Sequence, residues 1–159
     1  MRIPAATGMA RILKQEGVSW VSTFPVCCVN NALGEQGIPM IMMRDERYAV
    51  AIADALSRVT GGKQIGVCTV MGGLNPAGLQ IAYGGLAQAY EDSTPLLCIA
   101  DGMPPGSEGS LRYDLTQSFR DVTKWVGHID QPERVPELMR RAFTYLRTGR
   151  PGGHCLAVG

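Results

Sequence analysis

The sequence predicts an α/β fold in which a parallel sheet is covered by helices on both faces. Short apolar runs alternate with helix-patterned segments along the whole chain, which is typical of this class. The apolar runs are continuous rather than alternating, and such runs indicate strands buried on both faces. The chain has 159 residues, of which 45% are hydrophobic, so it is large enough for one domain with a substantial core.

Six apolar runs are strand candidates, and five segments with helical periodicity are helix candidates, one before the first strand and four between strands. The predicted strands span residues 18–24, 38–43, 65–71, 95–101, 123–129 and 153–159. The predicted helices span residues 7–17, 29–37, 45–60, 77–91 and 132–147. Glycines follow the apolar periodicity of several helices, as expected at helix ends. Residues 101–117 are predicted to form a long surface loop, and loops of this length are often functional.

Composition argues against several classes of function. The net charge is only +1 and the Lys and Arg residues are scattered, so a nucleic-acid partner is not expected. No apolar run approaches the roughly 20 residues of a membrane span, and the first residues do not resemble a secretion signal. The five cysteines are odd in number and lack C-x-x-C spacing, which fits neither a disulfide framework nor a zinc site. A reducing, cytoplasmic location is therefore expected. For the same reason, no residue of this chain is expected to bind a metal.

The candidate ligand site lies where the predicted strands end. In open parallel sheets, ligands bind outside the carboxyl ends of the strands. Four loops leave such ends: "PVCC" after Phe24, "RDE" after Met43, "GGLNPAG" after Met71 and "GMPPG" after Asp101. The adjacent cysteines in the first loop cannot bridge easily, and no base is placed by the sequence to activate them, so they are assigned no chemistry.

Two acids, Asp45 and Glu46, stand where an apolar strand leads into an apolar helix. One interpretation is structural, because acids in the first turn of a helix are stabilised by its dipole and unpaired amides. The other is functional: a strand and helix that both look buried would desolvate a carboxylate and prepare it to share a proton. Arg44 and Arg47 could instead neutralise it in an ordinary ion pair.

The "GGLNPAG" turn joins a predicted strand to a predicted helix. A phosphate cradle is conceivable at such a turn. The residues match neither G-x-G-x-x-G nor the lysine-containing phosphate loop, so the nucleotide signal is weak. A tight turn that needs glycine for positive φ or close packing is the favoured interpretation.

Several blocks together resemble one family. They are "RDE" at 44–46, "ADALSRVTG" at 53–61, "AYEDSTPLL" at 89–97, "FRDVTKWV" at 119–126 and "GRPGGHCLAV" at 149–158. In this order they resemble the pyrimidine-binding N-terminal domain of thiamine-diphosphate enzymes of the acetolactate synthase and pyruvate decarboxylase type. The resemblance covers essentially the whole chain.

The resemblance implies a role for Glu46. The family's glutamate hydrogen-bonds a ring nitrogen of the cofactor's aminopyrimidine and favours the imino tautomer. That tautomer takes the proton from the thiazolium carbon and creates a carbanion nucleophile, while the protein supplies orientation and a dry setting. Glu46 is thus the implied catalytic and cofactor-binding residue, with a partner subunit expected to seal the cleft. The implied reactions are decarboxylation and carboligation of 2-oxo acids, the work of a lyase or transferase.

Other positions implied by the resemblance match the family less closely. The family's Phe-Gly-x-Pro-Gly loop corresponds to Phe24-Pro25-Val26-Cys27-Cys28, so Pro25 and Val26 are the cofactor-binding candidates there. Its Gly-Pro-Gly-x-x-Asn turn corresponds to the glycine-rich turn, which makes Gly72, Gly73 and Asn75 candidates. Where synthases commonly carry Phe-Gln-Glu, residues 110–112 read Ser-Leu-Arg, a departure that leaves the substrate open.

The resemblance also implies a missing half of the site. Family members hold the diphosphate through Mg²⁺, bound by a second domain with a Gly-Asp-Gly motif that these 159 residues lack. Residues 1–159 are therefore expected to form one pyrimidine-binding domain that is inactive alone, works with a diphosphate-binding domain or subunit, and assembles as a homodimer or higher oligomer. The abrupt end after a predicted strand favours an excised domain. A subunit of a two-subunit 2-oxo acid decarboxylase, a non-catalytic relative with an assembly or regulatory role, and a generic nucleotide-binding module remain the alternatives.

Overall fold

A computed structural model describes residues 3–73, 76–102 and 115–158. Six parallel strands form one sheet in the order β2-β1-β3-β4-β6-β5. The strands are β1 (Val21–Thr23), β2 (Met40–Met42), β3 (Gly66–Val70), β4 (Leu96–Asp101), β5 (Trp125–Ile129) and β6 (Gly153–Val158). The predicted fold class is thereby confirmed, and each predicted strand is present.

Helices cover both faces of this sheet. They are α1 (Ala5–Gln15), α2 (Asn30–Glu35), α3 (Glu46–Val59), α4 (Ala77–Glu91), α5 (Leu115–Phe119) and α6 (Val135–Arg147), with short 3-10 turns at Arg120–Val122 and Pro132–Arg134. Helix α5 begins inside the stretch predicted as a loop, and residues 103–114 of that stretch lie outside the described residues. None of the helices in the described ranges is long and apolar enough to cross a membrane.

Alternate side chains of the central strands feed two separate cores. On β4, Leu97 and Ile99 pack with α1, α2 and α6, whereas Cys98 and Ala100 pack with α3 and α4. Successive side chains of a strand point to opposite faces, so one strand serves both layers. This three-layer arrangement explains the continuous apolar runs of the sequence.

The prediction that the strand before Glu46 is buried on both faces is wrong. β2 is an edge strand that pairs only with β1 among the described strands, and Met40, Ile41 and Met42 are all exposed. An edge position follows from strand order, which the local apolar run did not reveal. The desolvation of Glu46 must therefore come from elsewhere in the chain.

Candidate functional site

The loops that follow β1, β2, β3 and β4 meet at the carboxyl edge of the sheet, where its parallel strands end. The register aligns Thr23 with Met42 and with Thr69, and Val70 with Ala100. The side chains that follow these positions are brought together although they are far apart in sequence. All of the predicted site residues other than Asn75, which lies outside the described residues, fall at this edge.

Asp45 has the structural role that was one of the two interpretations. It is the N-cap of α3, with extended backbone, and its carboxylate accepts a hydrogen bond from the backbone N–H of Arg47 at 2.8 Å. This is the usual way in which an aspartate satisfies a free amide at a helix start. The first of the two acids is thus explained by helix formation alone.

Glu46 differs from its neighbour because its side chain is inside the protein. It is only 3% exposed, and its Oε1 is buried without a hydrogen-bond partner in the described part of the chain. Neither Arg44 nor Arg47 forms an ion pair with it there. Buried carboxylate oxygens normally have partners, so an unpartnered one marks a place where a ligand could supply the missing donor.

Two other buried carboxylate oxygens lack hydrogen bonds, on Asp54 and Asp130. Each of these carboxylates has an arginine nearby: Arg58 lies 2.6 Å from Asp54, and Arg134 lies 3.6 Å from Asp130. Their charge is therefore balanced. Of the three, Glu46 alone has neither a hydrogen bond nor an ion pair among the described residues.

The chain itself makes room for Glu46. A Cβ added at Gly78, in the first turn of α4, would lie 2.5 Å from Glu46 Oε1 and 2.6 Å from the backbone oxygen of Met71. Both distances are shorter than van der Waals contact, so only glycine fits. The sequence interpretation assigned burial of Glu46 to a partner subunit, whereas α4 of the same chain already provides it. Gly78 was missed, although it lies in the "GGLNPAG" turn that was singled out.

Gly72 and Gly73 are explained by close packing, the favoured interpretation of their turn. A Cβ on Gly72 would meet the backbone oxygen of Asp101 at 2.3 Å. Gly73 has φ +64°, which favours glycine, and its N–H donates to the same oxygen at 2.7 Å. The turn after β3 is thus fixed against the end of β4. Contact of either glycine with a cofactor stays a prediction.

The loop after β1 is held by a buried polar network. Asn30 Nδ2 donates to the backbone oxygen of Phe24 at 2.8 Å, and Thr69 Oγ1 lies 2.8 Å from Asn30 Oδ1 and 2.6 Å from Thr23 Oγ1. Beyond these anchors, Pro25 and Val26 are exposed. Their predicted cofactor contacts are therefore sterically open and stay predictions.

Asp101 was not singled out from the sequence. It ends β4, and its carboxylate accepts a hydrogen bond of 2.7 Å from the backbone N–H of Cys28, 73 residues earlier. The Sγ atoms of Cys27 and Cys28 and a carboxylate oxygen of Asp101 all lie within 4.8 Å of one another. The pKa of the Cys27 thiol is raised by its hydrogen bond to Cys28, by burial and by the negative charge of Asp101. No local sequence pattern could have joined these three residues.

Comparison with known proteins assigns this chain to a family. The family described as "Thiamine pyrophosphate enzyme, N-terminal TPP binding domain" matches residues 3–129. Thiamine pyrophosphate is thiamine diphosphate under its other name. The chain belongs to this family. The resemblance drawn from the sequence blocks is thus confirmed.

Relatives of known name match over nearly the whole chain. A probable acetolactate synthase large subunit of Methanocaldococcus jannaschii is 31% identical over 92% of this chain and 25% of its own length. The acetolactate synthase isozyme 3 large subunit of Escherichia coli K12 is 32% identical over 94% of this chain and 26% of its own length. A glyoxylate carboligase of E. coli O157:H7 is 30% identical over 89% of this chain and 24% of its own length. The chain spans about a quarter of the length of these relatives.

Proposed function

We propose that residues 1–159 form the pyrimidine-binding domain of a thiamine-diphosphate-dependent enzyme that decarboxylates or joins 2-oxo acids, with Glu46 as the residue that contacts the cofactor's aminopyrimidine ring. The observation that carries this proposal is the buried Oε1 of Glu46 at the carboxyl edge of the sheet, which has no partner among residues 3–73, 76–102 and 115–158. The names of the relatives support the reaction class, because they include acetolactate synthases and a carboligase.

The residues present fit an aminopyrimidine. A carboxylate oxygen without a partner accepts the hydrogen bond that a ring N–H donates, and charge-assisted bonds of this kind are stronger than neutral ones. The Gly78 slot holds the carboxylate away from bulk water, which strengthens its interaction with a bound ring. When bound, thiamine diphosphate supplies the carbon nucleophile of the reaction. Glu46 orients the ring and holds a proton at its nitrogen.

The surrounding loops complete the proposed contact surface. Exposed Pro25 and Val26 would lie against the bound group from the β1 side, and Gly72 and Gly73 from the β3 side. The backbone at Gly72 and Gly73 is rigid, because it is bonded and packed against Asp101. A fixed backbone keeps the ring at a constant distance from Glu46, and such positioning contributes much of enzymatic rate enhancement.

We propose that the diphosphate and its Mg²⁺ are held by another domain or subunit. Mg²⁺ prefers oxygen ligands that include the phosphates themselves. The acetolactate synthase relatives are about four times as long as this chain, which leaves ample sequence for such a domain. On this proposal the chain has no enzymatic activity by itself.

Exposed apolar side chains on α3 favour the presence of another protein surface against that helix. Tyr48, Ile52 and Val59 are 59%, 38% and 82% exposed and project from one side of that helix. Ile81 and Tyr83 of the adjoining α4 are also exposed. Exposed large apolar side chains on neighbouring helices favour an interface with another protein surface. We propose that a second domain or a second copy of the protein covers these side chains, giving a homodimer or higher oligomer, and that the enzyme works in the cytoplasm.

The Glu46→Gln variant of the complete enzyme tests the proposal. Glutamine keeps the shape of the side chain but cannot hold the charge, so turnover should fall by roughly 10²–10⁴-fold, the range for loss of a general acid–base group. Binding of thiamine diphosphate, measured by calorimetry, separates weaker binding from slower chemistry. Asp45→Asn is the matched control, because asparagine also caps helices and should leave turnover unchanged.

The alternatives give different results in the same experiment. A non-catalytic relative would bind no cofactor in an intact assembly, and neither variant would then matter. Turnover that survives Glu46→Gln would refute the assigned role of Glu46. A two-subunit decarboxylase would require a separate diphosphate-binding chain for any turnover, which mixing purified components would reveal.

A further inference from the structure

The Cys27–Cys28 pair and Asp101 form a cluster that the proposed cofactor chemistry does not use. Their three ligand atoms lie within 4.8 Å of one another. Cys27 is buried against the core on the α1 side of the sheet, Cys28 is exposed, and Asp101 is partly exposed. The cluster thus has a rigid wall and an open side through which an ion could enter.

The cluster is held in place by bonds that leave its ligand atoms available. The backbone N–H of Cys28 donates to Asp101 Oδ1 at 2.7 Å, which leaves the second carboxylate oxygen for a metal ion, and the hydrogen bond between the two thiols is given up when they lose their protons. The backbone oxygen of Asp101 accepts from Gly73, so the aspartate is anchored from both sides. Ligands that are preorganised in this way lose little entropy when they bind an ion.

The charges of the cluster are not balanced by the described protein. No ion pair joins Asp101 to a basic side chain in the described ranges. Both sulfur atoms lie within 4.8 Å of the Asp101 carboxylate, so thiolates formed there would repel it. A cation at the centre would reverse this, because thiolates and carboxylate would then all face a positive charge.

We propose that Cys27, Cys28 and Asp101 bind one Zn²⁺ ion through two thiolates and one carboxylate oxygen. Thiolate ligands select soft or borderline cations such as Zn²⁺ over Mg²⁺ or Ca²⁺. Three protein ligands leave the fourth tetrahedral position to water. Binding releases the two thiol protons to solvent, so the site, with two thiolates, one carboxylate and the ion, carries a net charge of −1.

This inference stands apart from the proposed role of Glu46. The zinc site joins the loop after β1 to the end of β4, and its three ligands are none of the residues proposed to contact the cofactor. Bound Zn²⁺ would fix the Phe24–Cys28 loop against Asp101. The sequence analysis expected no metal ligands because the cysteine spacing fits no zinc motif, and only the fold brings the third ligand into place.

Zn²⁺ and Co²⁺ titrations of the purified, reduced protein test the site. One Zn²⁺ per chain should bind in competition with a chromophoric chelator. Co²⁺ should give a thiolate-to-metal charge-transfer band together with the visible bands of tetrahedral cobalt. Affinity should rise with pH, since the proton competes with the metal for each thiol.

Cys28→Ser and Asp101→Asn are the decisive variants, because Cys28 is exposed and asparagine keeps the shape of the aspartate. Each should weaken Zn²⁺ binding by at least the roughly 10–100-fold seen when supporting groups of metal sites are removed. Cys68→Ala is the matched control: Cys68 is a buried thiol in β3, packed in the α3–α4 core and outside the cluster, and its removal should leave binding unchanged.

Two results would overturn the proposal. Zn²⁺ affinity that does not change in Cys28→Ser would place the ion elsewhere. Co²⁺ bound without a charge-transfer band would exclude thiolate ligands. Circular dichroism of each variant shows that it is folded, and Cys28→Ser, at an exposed thiol, still tests the site should asparagine at position 101 disturb the bond to Cys28. Loss of Glu46 activity would leave the zinc result untouched, so the two proposals fail independently.

Discussion

Both ends of helix α3 carry polar side chains, but these differ in whether they have hydrogen-bond partners in the described structure. At its C-terminal end, Ser57 donates to the backbone oxygen of Pro95 at 2.6 Å and accepts from the N–H of Gly66 at 2.7 Å. Arg58 there bridges Asp54 and Asp92 at 2.6 and 2.7 Å. At its N-terminal end, Glu46 is equally buried and its Oε1 has no partner in the described structure.

This difference separates residues that hold the fold together from residues available for a ligand. Both ends belong to sequence blocks shared with the family, "RDE" at one end and "ADALSRVTG" at the other. The second block ties α3 to the segments that lead into β3 and β4, and Arg58 balances the charge of its one carboxylate, Asp54, so its polar residues are accounted for by the fold. The first block contains a helix cap and a buried carboxylate oxygen to which no described residue donates a hydrogen bond.

Gly78→Ala should have the largest effect at the N-terminal end. The added methyl group would meet both Glu46 Oε1 and the backbone oxygen of Met71, and the backbone cannot move away without a loss of stability. We expect unfolding free energy to fall by about 1–3 kcal/mol, the usual cost of overpacking. In the complete enzyme, turnover should fall as well, because Glu46 would be displaced.

Gly84→Ala in the same helix is the control for that substitution. A Cβ at Gly84 meets nothing within 4 Å. Alanine should therefore raise the unfolding free energy by about 0.5–1 kcal/mol through better helix propensity. Equal destabilisation by the two variants would contradict the assignment of Gly78 as the space for Glu46. Chemical denaturation monitored by circular dichroism measures both.

Ser57→Ala should have the next largest effect, at the C-terminal end. Its removal leaves the buried N–H of Gly66 and the oxygen of Pro95 without their partner, and a lost buried bond costs about 1–3 kcal/mol. Ser19→Ala, which removes an exposed hydroxyl bonded to Gln64, should change stability little. Activity per folded molecule should survive Ser57→Ala, since this end of the helix carries no proposed site.

The smallest expected effect is electrostatic. Hydrogen bonds from Arg58 and then Gln88 hold the pKa of Asp92 below its ordinary value of 3.8. The stability that this pair contributes is therefore present above the pKa of the unfolded carboxyl and is lost as pH falls through the lower pKa of the folded state. In Arg58→Ala, NMR titration should show the Asp92 pKa rising towards its ordinary value. An unchanged pKa would contradict the pairing, and Arg140→Ala on another helix should leave it unchanged.

Much of the fold could be predicted because periodicity is a local property. Alternating strand and helix patterns were enough to place the six strands and the long helices. The edge position and exposure of β2 could not be predicted, because strand order depends on which segments pair across the sheet. Short α5 was also missed, since five residues carry too little periodicity.

The site was predictable only in part. Glu46 could be singled out because family blocks frame it, and Asp45 because capping is local. Gly78 and Asp101 act through contacts made only in the folded chain: Gly78 with Glu46, and Asp101 with Cys28. The source of Glu46 burial was mistaken for the same reason, because α4 lies against the start of α3 only after folding.

The unfolding free energy of Glu46→Gln tests most directly whether this carboxylate is kept for a ligand rather than for the fold. The dipole of α3 favours the charge by about 1–2 kcal/mol, whereas burying an unpaired ion costs several kcal/mol. We predict that Glu46→Gln is at least as stable as the wild-type protein, while Ser57→Ala is less stable. A loss of stability in Glu46→Gln as large as that in Ser57→Ala would contradict the account.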